Sequence, residues 1–353
     1  MIRRLLGFIG AGEQKKSDCV FTVLVLLFTL LLACVPSLGG TGFSENDKTA
    51  RVHVTSVNND DVRTSGIVQQ GTQQVFGTIT SGRYKGASVE GRNILMGSLQ
   101  EDKLFSPGDT AFIAFDTDSD GTVRSAYFYD YYRIEVILFL FGLFVLLLFV
   151  FAGITGIKAV ISFIFTGMVI WKIMLPGFLY GIPPVPLALV IVSLLTFVII
   201  FLIGGFNKKG TAAFLGSFAG LLFTCVLSLV FGALFRVHGA VRPFAETLLR
   251  SGYPDLDLTG IFLAGIFISA SGAVMDIAMD ISAAMHEVTS RHPEISYTDA
   301  VLSGLSVGRA VIGTMTTTLL LAYSGGFTAM LMVFIVRGVP GANILNFHHV
   351  AAE

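Results

Sequence analysis

The sequence predicts an α-helical polytopic membrane protein of about eight membrane segments. A small extracytoplasmic all-β domain, an OB-like barrel, lies between the first and second segments. Three observations predict it. The 353 residues are 53% hydrophobic and only 13% charged, about half the charge of a soluble domain. The deficit is concentrated: Val136 to Ile157, Gly210 to Phe235 and Leu258 to Met275 contain no Asp, Glu, Lys or Arg. About 18 uncharged apolar residues suffice to cross a bilayer as a helix. Residues 36–133, by contrast, are charged and carry no apolar run of that length. A soluble enzyme is excluded. With a net charge of -1, so is nucleic acid as a main partner, because phosphate binding needs a basic surface.

Arg3, Arg4, Lys15 and Lys16 precede an apolar run from Val20 to Val35. Under the positive-inside rule this flank puts the N-terminus in the cytoplasm and residues 36–133 outside it. The run reads as a signal peptide or as a first membrane anchor, so residues 1–35 form a basic tail and anchor. Leu31-Leu32-Ala33-Cys34 also resembles a lipoprotein processing box, but the long basic region favours an uncleaved anchor. Cys19, Cys34 and Cys225 cannot build a disulfide framework, so the exported domain folds without one.

Within 36–133, short alternating segments fall at Arg51–Val57, Gln74–Ile79, Tyr84–Val89, Thr110–Asp116 and Val123–Tyr129, separated by turn residues. Five short strands in under a hundred residues fit a small barrel. Asp116-Thr117-Asp118-Ser119-Asp120-Gly121 matches the first half of a calcium loop, but Arg124 and Tyr127 stand where ligands belong. A hairpin turn is the preferred reading.

The membrane domain, 134–353, shows spans near 134–153, 156–175, 186–205, 211–235 and 259–280. A polar stretch, 281–308, follows, and then apolar sequence from Ala310 to Val336. Gly325-Gly326 divides that last stretch into a full span and a short segment. In the polar stretch, Ser296 with Asp299 three residues on marks a helix start. Tyr297, Val301, Leu302 and Leu305 then suggest an amphipathic helix lying on the membrane surface.

Charges inside a membrane domain are costly and point to function. Asp276 and Asp280 stand on one face of the sixth segment, and Gly265, Ser269 and Gly272 extend that face as a stripe for close helix packing. Arg309, Gly313 and Thr317 cluster on one side of the next span. Each charge is disfavoured by its own helix dipole, so the pattern predicts that Arg309 meets Asp276 or Asp280. These five residues form the candidate intramembrane polar site. Merely interfacial carboxylates and a structural clamp are the alternatives to an ion or substrate site. No catalytic set converges, since both carboxylates share one helix. No metal or other cofactor is expected: His286-Glu287 lacks the second histidine of a zinc site, and His348, His349 and Glu353 are too sparse.

The segment SGAVMDIAMDI, Ser271 to Ile281, with Ser303-Gly304 and GRAVIGTMTTTLLLAY, Gly308 to Tyr323, resembles the YibE/F family of bacterial membrane proteins. The resemblance implies a multi-pass protein of the bacterial cytoplasmic membrane, with an anchor, a small exported domain and a multi-helix region. It implies no settled activity. The family pattern has an acidic residue at the position of Ala310 and Asn at that of Thr317. The family also resembles paired products, which implies a hetero-oligomer with a shorter member lacking the exported domain. The expected function is non-enzymatic and permease-like, moving a small solute or ion across the lipid bilayer. A sensor or scaffold whose β-domain binds an external ligand or partner is the alternative.

Overall fold

The structure is a computed structural model that describes residues 12–35, 48–99, 102–117, 123–241 and 244–344. The chain divides into two compact units, Gly39–Leu147 and Met1–Leu38 with Leu148–Glu353.

The first unit is built on β1 (Lys48–Asn58), β2 (Val62–Ser65), β3 (Val68–Ile79), β4 (Ser88–Met96), β5 (Thr110–Thr117) and β6 (Val123–Tyr131). The strand order is β1-β5-β6-β4-β3-β2, and β1 also pairs with β3, which closes a five-stranded barrel. β2 is a short hairpin arm on β3. One pairing, β4 with β6, is parallel; the others are antiparallel. The expected OB-like barrel is therefore present. Two glycines make the closures. A Cβ at Gly77 would stand 2.6 Å from the His53 carbonyl oxygen on β1, and one at Gly91 would stand 2.5 Å from that of Ala126 on β6. Only glycine lets the strands approach so closely.

Two details differ from expectation. The strand expected at Tyr84–Val89 is Ser88–Met96, and residues 82–87 form the turn before it. Its inward positions are Val89, Gly91, Asn93 and Leu95, so two of the four are not apolar and the alternation is hidden. Second, the barrel core is not purely hydrophobic. Around Val52, Val54, Val75, Phe105, Ile113 and Phe115 lie Gln73 and Asn93, both buried and directly opposite one another. The Gln73 amide donates to the Phe105 carbonyl (2.8 Å) and to Asn59 Oδ1 (2.9 Å), and its oxygen accepts from the Phe105 amide (3.0 Å). Asn93 Nδ2 donates to Gln73 Oε1 (3.0 Å) and to the Lys103 carbonyl (2.6 Å). The pair thereby pins the 103–105 loop to the barrel, and buried amides so bonded carry no desolvation deficit. β5 and β6 pair as far as Thr117 with Val123, as a hairpin does; Asp118 to Gly121 of the calcium-like segment lie outside the described residues.

The helices are α1 (Gly12–Cys34), α2 (Ile134–Ala152), α3 (Ile154–Leu179), α4 (Pro184–Gly204), α5 (Lys208–Leu234), α6 (Ala245–Arg250), α7 (Leu258–Arg291), α8 (Tyr297–Gly326), α9 (Thr328–Val336) and α10 (Gly341–Ile344). Among the described residues seven of them, α1 to α5 with α7 and α8, are long and apolar enough to cross a membrane. α4 is the most enclosed, because its faces pack on α1, α3, α5 and α7. α1 contributes Val25 and Leu32 to the shared core and is tied at both ends. Asp18 accepts from the Phe206 amide (3.1 Å), and Lys172, in a π-helical turn of α3, donates to the Val35 carbonyl (2.8 Å).

The C-terminal half corrects two expectations. α7 does not stop at Asp280 but runs 34 residues to Arg291, and α8 starts at Tyr297. Tyr297 to Leu305 are the first turns of the spanning helix, not a separate surface helix. At about 1.5 Å per residue α7 is about 51 Å long, against about 30 Å of hydrocarbon, so the hairpin overshoots any bilayer it crosses. The break at Gly325-Gly326 is real, but at 9 residues α9 falls short of a span by itself.

Candidate functional site

α7 carries the candidate site, and its packing decides which way the polar residues face. Asp257 caps the helix by accepting from the Gly260 amide (2.8 Å). On one side Leu263, Val274 and Ala278 reach towards Gly232, Gly220 and Gly216 of α5. A Cβ at Gly220 would stand 2.6 Å from Val274 Cγ1, so the seam depends on the missing side chain. Lower down, Ile281 and Met285 cover Gly304 and Gly308 of α8, which are both buried.

These two seams use the same side of α7 at different heights. At roughly 100° per residue, Asp276 and Asp280 lie on the opposite side, and the structure leaves both exposed. Ser269 and Gly272 are exposed above them, and Gly265 is half-buried. Arg309, Gly313 and Thr317 are exposed on α8, where Arg309 lies roughly 100° from Gly308 and 140° from Gly304. The predicted ion pair is absent: among the described residues nothing joins Arg309 to Asp276 or Asp280. The reason is the glycine seam. Gly304 and Gly308 turn towards α7 and carry Arg309 away from it. Thr317 donates back to the Gly313 carbonyl (3.4 Å), as helical threonines do. Both glycine seams were missed in the sequence, although the four-residue spacings 216/220 and 304/308 were there to be read.

The upper end of the stripe opens on a cavity of about 640 Å³ between the 239–251 segment and the first turns of α7. Gly265 and Ser269 line it together with Phe244, Thr247, Ser251 and Ile261. Every described lining residue is uncharged. Phe244 takes a left-handed backbone (φ 62°), an uncommon conformation for a bulky side chain. The sequence showed this segment only as a loop between spans.

The barrel has a hollow of its own. β4 and β6 pair only at Gly91 with Ala126 and Arg92 with Tyr127, and where they part a space of about 400 Å³ opens. Arg92, Met96, Lys103, Tyr127 and Tyr129 line it. Lys103 Nζ stands 3.3 Å from Asp130, which also faces Arg133 at 3.1 Å. Burial pushes the Asp130 carboxyl up, but the Tyr131 amide, Arg133 and Lys103 together hold it below the usual carboxylate range. Asp102 behaves likewise: burial raises it, and the amides of Met96, Ser98 and Gly97 lower it further. Among the described residues no group of three His, Cys, Asp or Glu side chains is placed to hold a metal ion.

A family model described as YibE/F-like protein matches residues 140–353, and one described as YibE/F family N-terminal domain matches residues 45–131. The chain belongs to the YibE/F family. No curated protein and no solved structure matches it. YibE/F membership agrees with the architecture, an N-terminal barrel followed by long apolar helices, and carries no established activity.

Proposed function

We propose that this YibE/F protein is permease-like and moves a small solute along the α7 face. The observation that carries it is the continuity of cavity and stripe: Gly265 and Ser269 line the cavity, and the same helix face continues through Gly272 to Asp276 and Asp280. An uncharged mouth leading to two carboxylates suits a small polar solute or a cation. In this reading Lys208 and Lys209, with the basic N-terminal segment, are cytoplasmic under the positive-inside rule, and the barrel is outside the cytoplasm of a bacterial cell. No chemistry is assigned to the carboxylates, so the proposed function is not enzymatic. The test is solute flux into proteoliposomes across a panel of cations and small neutral solutes. Ser269→Phe, which fills the cavity side of the stripe, is expected to abolish flux while the protein stays folded. Unchanged flux in that variant would sink the proposal.

The second reading is a sensor or scaffold, supported by the hollow beside Tyr127 and Tyr129, where aromatic side chains meet Arg92, Lys103 and Asp102. Ligand-dependent protection of Tyr129 in the full chain, with no flux of any solute, would favour it.

A further inference from the structure

We propose that copies of this chain associate head to tail, Arg309 of one copy entering the Asp276–Asp280 face of the next, so that the polar face of α7 is completed by a second copy. The argument starts from height. Ile281 lies over Gly308 in the α7–α8 hairpin. Asp280 and Arg309 are each one residue further along their antiparallel helices in the same direction, so they stand within about 1.5 Å of one level. Two opposite charges at one level on packed neighbours would be expected to pair, yet here both are exposed and neither has an ion-pair partner among the described residues.

Rotation within the hairpin does not bring them together, because the Gly304–Gly308 seam and the Ile281–Met285 ridge fix each helix with its charge turned away. At the edge of an apolar span such charges are costly alone and pair with one another. The complement to an acidic face on α7 is a basic position on α8, and this chain presents both, at the same depth and on different helices. A donor patch and an acceptor patch that differ make a heterologous contact, which repeats from copy to copy and forms a ring where the rotation closes and an open array where it does not. Gly272 above the carboxylates and Gly313 above Arg309 leave room for the two backbones to approach. The association does not require that the protein transport anything.

The test uses the full chain in its own membrane, with Cys19, Cys34 and Cys225 replaced by serine. Two differently tagged copies are co-expressed, one with Gly272→Cys and the other with Thr317→Cys, positions at matching height on the two faces. Oxidation is expected to join the two tags. Adding Asp280→Arg to the first copy should lower that product about tenfold, since like charges then oppose across the contact. Adding Arg309→Asp to the second should restore it. Rescue by a change in the other copy separates pairing from simple misfolding. Three results would overturn the proposal: a bond only within one chain when both cysteines share it, a product indifferent to the charge reversals, or no joined product while both copies are monodisperse in detergent. The readout needs no solute, so failure of the flux assay leaves it standing, and the reverse also holds.

Discussion

The barrel and the membrane unit handle their polar groups in opposite ways. Inside the barrel Gln73 and Asn93 are buried and satisfied by one another and by the 103–105 backbone, and at its edge Lys103, Asp130 and Arg133 pair among themselves. In the membrane unit Asp276, Asp280 and Arg309 are left on the exposed sides of their helices. One unit is complete as a single copy. The other leaves the buried Thr166 and Ser217 hydroxyls without a hydrogen-bond partner among the described residues and three charged side chains exposed on its surface.

The strongest way to break this contrast is to unmake the barrel's internal satisfaction. Gln73→Ala would strand the Phe105 amide and carbonyl and Asn93 at once, and each buried orphan costs about 1–3 kcal/mol. A loss of about 3 kcal/mol or more is expected in urea unfolding of residues 45–133 expressed alone. A loss below about 1 kcal/mol would mean that water replaces the side chain and that the barrel is less closed than described.

A smaller effect should follow in the other unit. Gly220→Leu forces α5 away from Val274, and overpacking of this kind costs about 1–3 kcal/mol. Thermal unfolding in detergent should shift downward for the helical signal, with the barrel transition unmoved. A common shift of both transitions would show that the two units unfold as one.

How much of this was legible follows from the same contrast. The spans were read from absent charge, which the bilayer dictates, and α2 to α5 fall within a few residues of the expected bounds. Ser296 does cap α8, accepting from the Asp299 amide (3.1 Å) and donating to its carboxylate (2.7 Å). β4 was misplaced because Gly91 and Asn93 occupy inward positions for reasons of closure and loop anchoring, not hydrophobicity. The extension of α7 was missed because residues after Asp280 look like a loop by polarity. They are helical, and Glu287 and Arg291 even pair along it at 2.5 Å. The Arg309 pairing failed for another reason: the helical wheel gives faces, whereas the seam between two helices is chosen by whichever face packs better. Gly304 and Gly308 won that choice.

Acid should separate the units by a third route. Asp102 and Asp130 titrate below the usual carboxylate range in the folded barrel. A depressed folded pKa adds stability that is fully present above the unfolded value of about 3.9 and is lost as pH falls through the folded value. The isolated barrel should therefore hold its stability down to about pH 4 and lose it below. Asp102→Asn should flatten that acid limb. A barrel that weakens between pH 7 and 5 would point to a different titrating group.

The smallest expected effect is also the sharpest. Within one copy Arg309 does not meet either carboxylate, so Arg309→Ala and Asp280→Ala should be additive in thermal stability. Coupling below about 0.5 kcal/mol is expected in detergent at a dilution where the protein is monomeric. The same double-mutant cycle, run on membranes where copies can associate, should show coupling of more than 1 kcal/mol, since a desolvated ion pair is then broken. The difference between the two measurements, and not either alone, carries the information. Equal coupling in both would place the pair inside one chain and refute the exposed arrangement of the hairpin. Additivity in both would leave the charges facing headgroups and water, and the membrane unit would then be as self-contained as the barrel.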